Sequence, residues 1–376
     1  MSEMNTPELR ERAAQALAAS GERVRQISAF VGLDGFVDEI VHAVDTRKNA
    51  TEYTRLNTIT DFGDRIKEAA GRSTNIEMVR QKKKLGGNGP IMANALATLG
   101  LKVIYVGSLG YPSISSVFTS FAERAEVHSI AESGHTDAVE FLDGKVMLVK
   151  SDPLNDITWA TIQERYGRDR FEKAFRESTL VGFVNWTMIP FMSDIWESLL
   201  MEFCPLLKGA PRRRLFFDLA DPQKRCLEDI QRALRLIARF QEFFDVTLGL
   251  NEKEGCEIAE VLGLKSDDHS PEGLAKMGRE IYSRVKVDAL VIHPVTYAFA
   301  IRNNDVAMVS GPKIGAPLIT TGAGDHFNSG FCLGQLLGLD NAMCVLLGVA
   351  TSGYYVRTAQ TPTLSDLAGM LRNWPS

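Results

Sequence analysis

The chain has 376 residues, 45% of them hydrophobic, enough to bury a sizeable core in one large domain or two without disulfide or metal staples. A net charge of -5, with basic residues clustered only at Lys82 to Lys84 and Arg212 to Arg214, leaves no broad cationic stripe for a phosphate backbone, so nucleic acid is not an expected partner. No apolar run approaches the ~18 residues of a membrane span, the first thirty residues are interspersed with Glu and Arg, and the five cysteines form no CxxC pair, which together point to a cytoplasmic protein without a membrane partner.

Residues 7–19, PELRERAAQALAA, carry Pro7 at the start of a helical pattern, and residues 1–26 are expected as an N-terminal helical extension ahead of a domain over 27–376. ISAFVGLDGFVDEIVHAV (27–44) begins as a buried strand and continues as an alternating, half-exposed one. Residues 51–84 are polar with weak helical spacing and are expected as a helical excursion, with Lys82 to Lys84 a solvated face. GGNGPIMANALATLG (86–100) predicts a helix with Pro90 in its first turn and Gly100 just past its end, followed by the buried strand KVIYVGSLG.

In DAVEFLDGKVMLVK (137–150), the DG at 143–144 separates two alternating runs and predicts a hairpin, which with residues 34–44 would form a small sheet standing off the main one. Apolar strands near 180–185, 214–220 and 287–293, with helices between them, predict an α/β fold around a largely parallel sheet.

The chain then reads LITTGAGDHFNSGFCLGQLLG (318–338). Gly322, Ala323 and Gly324 would bring three backbone amides to a helix N-terminus, an anion hole with the helix dipole behind it. Asp325 in the first turn is expected to stay ionised there, as a general base taking the proton of a hydroxyl that attacks a phosphoryl group. The same residue could equally serve as a helix cap.

TTGAGDHFNSGF resembles the C-terminal signature of the ribokinase-like (PfkB) carbohydrate kinases, GGNGPIMANALATLG resembles their other signature, and LNEKEGCEIAEVLG (250–263) resembles their Asn-x-x-Glu element. Covering about residues 28–368, the resemblance implies a ribokinase-like three-layer sandwich with a mainly parallel central sheet and a small β-sheet lid, its lid strands at about 34–44 and 137–150. It implies ATP-dependent phosphorylation of a hydroxyl of a sugar or related polyol, with Mg²⁺ as cofactor and K⁺ left open. Asp325 would be the base, and Asn251, Glu254 and Thr321 would organise nucleotide and Mg²⁺. The acid that reads substrate hydroxyls matches Asp38, with Asp34 the alternative, and Gly86, Gly87 and Asn88 would close on the sugar. FFDLADPQKR (216–225) matches a family stretch at Asp221, Pro222 and Arg225, with Gln223 in place of Asn, and Arg225 would be structural or at the nucleotide edge.

One stretch departs from the family. VIHPVTYAFAI has no glycine where many members carry Thr-x-Gly-x-x-Gly, and its His293, placed at the nucleotide edge, resembles the ADP-dependent sugar kinases. ADP therefore stays open as donor beside ATP, as do a nucleoside kinase, with Phe36 or Phe141 clamping a base, and a catalytically silent nucleotide or sugar sensor. Without HExxH or a spaced His/Cys cluster no transition-metal site is expected, and the alternating lid strands leave a homodimer through the lid open.

Overall fold

The computed structural model describes residues 5–265, 267–303 and 305–375. In chain order its main elements are α1 (Pro7–Ala19), β1 (Ser28–Leu33), β2 (Phe36–Arg47), β3 (Tyr53–Arg55), α2 (Ile59–Lys67), β4 (Met78–Gly86), α3 (Asn88–Thr98), β5 (Lys102–Gly107), β6 (Glu126–Ser129), β7 (Gly134–Glu140) and β8 (Lys145–Lys150). They continue with α4 (Arg168–Glu177), β9 (Leu180–Phe183), α5 (Met192–Glu202), β10 (Arg213–Asp218), α6 (Leu227–Phe240), β11 (Phe244–Asn251), α7 (Glu252–Val261), α8 (Pro271–Val285), β12 (Ala289–His293), β13 (Tyr297–Arg302), β14 (Asp305–Ser310), α9 (Ala323–Leu336), α10 (Asn341–Thr358) and α11 (Leu364–Arg372).

The large sheet runs β14-β13-β12-β11-β10-β9-β1-β5-β6, and all its pairs are parallel except the antiparallel β12-β13-β14 edge. Strand alternation makes it the middle of three layers. Ala29 and Val31 of β1 pack into a buried cluster with α1, α3, α9, α10 and α11, whereas Phe30 faces a second cluster with α4, α5, α6 and α8. Phe30 meets Phe171 edge-on at 5.0 Å, and Trp196 meets Phe217 at 4.7 Å. Each such pair contributes roughly 0.5–1.5 kcal/mol beyond its buried area.

The small sheet runs β3-β2-β7-β8, with β4 on the other flank of β2. Its inner side is held on α2 by Val41, Leu56, Val139 and the Phe62–Phe141 contact at 5.4 Å. The chain bends at Asp34-Gly35 between β1 and β2, so one continuous stretch serves both sheets.

Residues 51–84 differ from expectation: only 59–67 are helical, and the lysine-rich end of the stretch is the lid strand β4. The weak helical spacing misled because β4 has little apolar alternation, its pairing with β2 supplying the order instead. The N-terminal segment buries Leu9, Ala13, Ala14 and Leu17 and packs α1 on α11, with Thr6 capping the helix. Among the described residues no helix is long and apolar enough to cross a membrane.

Candidate active site

Several parallel strands end on one cleft of 390 Å³, at the carboxyl edge where open α/β sheets present their ligands. Asp34, directly after β1, is fully buried and accepts from the amides of Asn88 (3.0 Å) and Gly89 (2.8 Å) and from Asn185 Nδ2 (2.6 Å). Burial lifts its carboxyl to about 6 against those bonds. Its oxygens are thus spent on clipping the N-terminus of α3 to β1, and Asp34 is not part of the cleft wall. The turn ahead of α3 depends on Gly87 at φ 92°, which a side chain would strain.

Asp38 does line the cleft. In the lid register Lys84 pairs with Asp38, Asp38 with Thr136, and Thr136 with Val149, so these four side chains form one row across β4, β2, β7 and β8. Burial raises the Asp38 carboxyl, while Lys84, the Thr136 hydroxyl and Lys145 oppose the rise. Lys84 is half-buried and its ammonium is drawn below the ordinary lysine range by burial, with Asp38 opposing. The lysine run is therefore not a uniformly solvated face: Lys83 turns outward toward Glu39 (4.0 Å), and Lys84 turns in. On that outer face Glu39, His135 and Asp137 lie within 4.8 Å of one another, where Arg80 meets Glu39 at 3.2 Å and Lys150 meets Asp137 at 2.8 Å.

At the other wall Gly322, at φ 93°, opens α9, and Asp325 is its third residue. The amide of Ala323 bonds the Thr320 carbonyl at 3.2 Å, so it is not free for an anion; those of Gly322, Gly324 and Asp325 have no protein partner among the described residues. Asn88 Nδ2 donates to Asp325 Oδ1 at 3.0 Å, joining the two sequence signatures. The expectation of a low pKa at Asp325 is overturned. Burial drives its carboxyl well above the carboxylate range, Asp218, Asp34 and Glu254 add to the rise, and the Asn88 bond opposes it.

Asp218, at the end of β10, accepts from Asn328 Nδ2 (2.8 Å) and the Ala220 amide (2.9 Å), and burial lifts it to about 6. Asn251 and Glu254 form the capping box of α7: Asn251 Oδ1 accepts the Glu254 amide and Glu254 Oε2 the Asn251 amide, both at 2.9 Å. Glu254 Oε1 also accepts the Asp221 amide at 2.9 Å, and burial with Asp218 nearby raises its carboxyl to about 8. Both residues cap the helix and line the cleft. No lysine or arginine is ion-paired with Asp218, Glu254 or Asp325 among the described residues; Lys224, which lines the same cleft, is instead paired with Asp221 at 2.9 Å.

Behind this turn a second cavity of 570 Å³ is lined by Tyr297, Pro312, Phe327, Val349 and Val356, and shares Asn251, His293 and Gly324 with the cleft. His293 is half-buried against Phe327, their rings 4.7 Å apart, and loss of solvent lowers its imidazole to about 4. His326 is turned inward, stacked on Tyr355 at 3.7 Å and bonded to the Gly322 carbonyl and Thr361. Thr321 lines the cleft and bonds Lys145 Nζ of the lid. Arg225 stays outside it, because its guanidinium lies over Trp186 and bonds the carbonyls of Thr187 and Pro190. Sequence reasoning missed Asp218, Asn185, Thr136, Lys84 and Lys145. An acid or amide closing an apolar strand, as in LFFD and GFVN, was the available signal for the first two.

A family model described as prokaryotic ketohexokinase matches residues 7–374. A ketohexokinase of Haloferax volcanii is 30% identical over 368 residues, covering 97% of this chain and 96% of that protein. Among solved structures, an Arabidopsis thaliana ribokinase complexed with ribose and ATP aligns with a TM-score of 0.64 at 14% identity, over 92% of this chain and 98% of its own. A Thermotoga maritima ribokinase aligns at 0.62 and 17% identity, over 92% and 99%. At these identities the structures establish the ribokinase fold.

Proposed function

Because the chain belongs to the prokaryotic ketohexokinase family and is a carbohydrate kinase, we propose that it transfers the terminal phosphoryl group of ATP to a hydroxyl of a ketohexose, with Asp325 as general base. The observation that carries this is the 3.0 Å bond from Asn88 to Asp325, which sets the base beside the start of α3, on the cleft that Asp38 also lines. Asp38 accepts hydrogen bonds from sugar hydroxyls, and a substrate lacking them would leave this buried carboxylate without those bonds.

The attacking hydroxyl oxygen forms the new bond to the terminal phosphorus, its proton passes to Asp325, and the bridging oxygen leaves with ADP. The unpartnered amides of Gly322, Gly324 and Asp325 form the anion hole, without Ala323. The nucleoside part of the donor occupies the apolar second cavity, with its phosphates running past Gly324, which both cavities share. ATP is preferred over ADP on the resemblance of GAGDHFNSG to the ATP-dependent pattern.

Mg²⁺ fits the donors present: Asp218 and Glu254 are hard oxygen ligands, buried and not ion-paired to a lysine or arginine among the described residues, and would hold the ion largely through water. When bound it supplies positive charge against the donor phosphates. Asp325 is the proton acceptor only when ionised, so kcat/KM rises with pH through its raised pKa. Asp325→Asn is expected to lower kcat about 10²- to 10⁴-fold, measured with ATP or ADP over a panel of ketohexoses, aldoses and nucleosides. An unchanged rate on the preferred acceptor would remove Asp325 from the chemistry, and preference for a nucleoside would replace the substrate class.

A further inference from the structure

We propose that Lys145 is a catalytic residue delivered by the lid, its ammonium held at the mouth of the Gly322–Asp325 turn to neutralise charge on the phosphoryl group as it moves. The placement follows from strand geometry. Lys145, Met147 and Val149 alternate onto one side of β8, and Met147 and Val149 line the substrate cleft. Lys145 is opposite Glu140 in the β7-β8 register, yet its hydrogen bond goes across the cleft to Thr321 Oγ1, next to the turn.

The base of that reach is fixed. Asp143, two residues earlier, accepts the Ile59 amide at the start of α2 at 3.0 Å, the Leu142 amide bonds the Asn57 carbonyl at 2.8 Å, and Phe141 is packed on Phe62. The hairpin tip is thereby anchored on the body of the lid, while the long lysine stem spans to the opposite wall. The arrangement also answers a charge problem. The wall around Asp325 carries Asp218 and Glu254, none of the three ion-paired among the described residues, and the cleft's Lys224 is bound to Asp221 at 2.9 Å, so a phosphoryl group arriving beside Asp325 meets acid oxygens with no cation paired to them. From the lid, Lys145 brings an ammonium onto this wall through Thr321, directly beside the turn.

During transfer the hydroxyl oxygen bonds phosphorus, the bond to the bridging oxygen breaks, its electron pair leaves with ADP, and the proton goes to Asp325. Lys145 takes no proton; it offsets charge on the equatorial oxygens, as a lid-borne counterpart of an arginine finger. This rests on the kinase function proposed above.

The test is a steady-state comparison of the full chain with Lys145→Met, Lys145→Arg and Lys150→Met, the last a lysine of the same strand that pairs with Asp137 on the outer face. Lys145→Met is expected to lower kcat about 10²-fold or more, with KM for ketohexose and nucleotide within about threefold, Lys145→Arg to recover part of the loss, and Lys150→Met to match the wild type. A Lys145→Met kcat within about threefold of the wild type overturns the proposal, as does a loss confined to the sugar KM, which would make Lys145 a substrate-binding lysine. Equal losses in Lys145→Met and Lys150→Met also overturn it, since they would report damage to the strand. Wild-type turnover with an unaffected Lys145→Met refutes the lysine alone, whereas a wild type that turns over no ketohexose refutes the kinase function and the lysine with it.

Discussion

Replacing Asn88 with alanine isolates the contact on which the base assignment rests. The Asn88 side chain donates to Asp325 Oδ1 at 3.0 Å, while its backbone amide separately donates to Asp34 at 3.0 Å, so Asn88→Ala removes the first bond and leaves the clip of α3 in place. A hydrogen bond to a charged group contributes about 1.5–3 kcal/mol. Asn88 opposes the burial that raises Asp325, so losing it destabilises the ionised form by that amount. At 1.36 kcal/mol per pH unit, the acidic limb of the kcat profile moves up by about one to two units. The sign is fixed by the role: a base works deprotonated, so a higher pKa costs rate at pH values below it, about 10- to 100-fold, and the variant recovers at higher pH. Because Asn88 also lines the cleft, the profile should be taken at saturating sugar, with ADP release followed between pH 5 and 10. A uniform loss at all pH values, with the limb unmoved, would refute the reasoning and leave Asn88 a substrate-binding residue only.

Gly86→Ala tests the approach of the lid to the cleft: a Cβ there would sit 2.3 Å from the Asp38 carboxylate, so that group must turn, and KM for the sugar is expected to rise at least tenfold with a stability loss of about 1–3 kcal/mol. An unchanged KM would mean that Asp38 does not read the substrate. The ligand-free protein should lose stability as pH rises from 6.5 to about 8. Glu254, at about 8, is raised above its unfolded value, so the folded state holds an extra proton whose contribution is lost as pH climbs through about 8, whereas Asp34 and Asp218, at about 6, have lost most of theirs below 6.5. His293 and His326, lowered to about 4, contribute in full above their unfolded value of 6.5 and lose that contribution only as pH falls below it. Thermal unfolding midpoints across pH 5 to 9 measure this, and a midpoint that rises between 6.5 and 8 would contradict the buried-acid account.

What the sequence by itself determined was local in origin. Periodicity and punctuation over a few residues predicted the buried strands near 102, 180, 214 and 287, the helix at 88–98 and the hairpin at 143–144, because each depends on neighbours along the chain. The glycine turns before Asn88 and Asp325 were legible for the same reason: a backbone at φ 92° or 93° restricts the residue at that position whatever lies around it.

Tertiary structure decided everything that depends on burial and on which strand lies beside which. The sequence put Asp38 first and kept Asp34 as the alternative, and only the packing of α3 spent Asp34 on backbone amides and left Asp38 on the cleft. The pKa of Asp325 was expected low from its helix position, but three other acids arrive from distant strands and helices and the burial they share outweighs the dipole. Lys84 looked solvated because a lysine run has no periodicity of its own, and it faces inward only because β4 pairs with β2 in a register that sets it opposite Asp38. The bond between Asn88 and Asp325 spans 237 positions, a separation at which propensity carries no information and only the closed chain brings the two groups together.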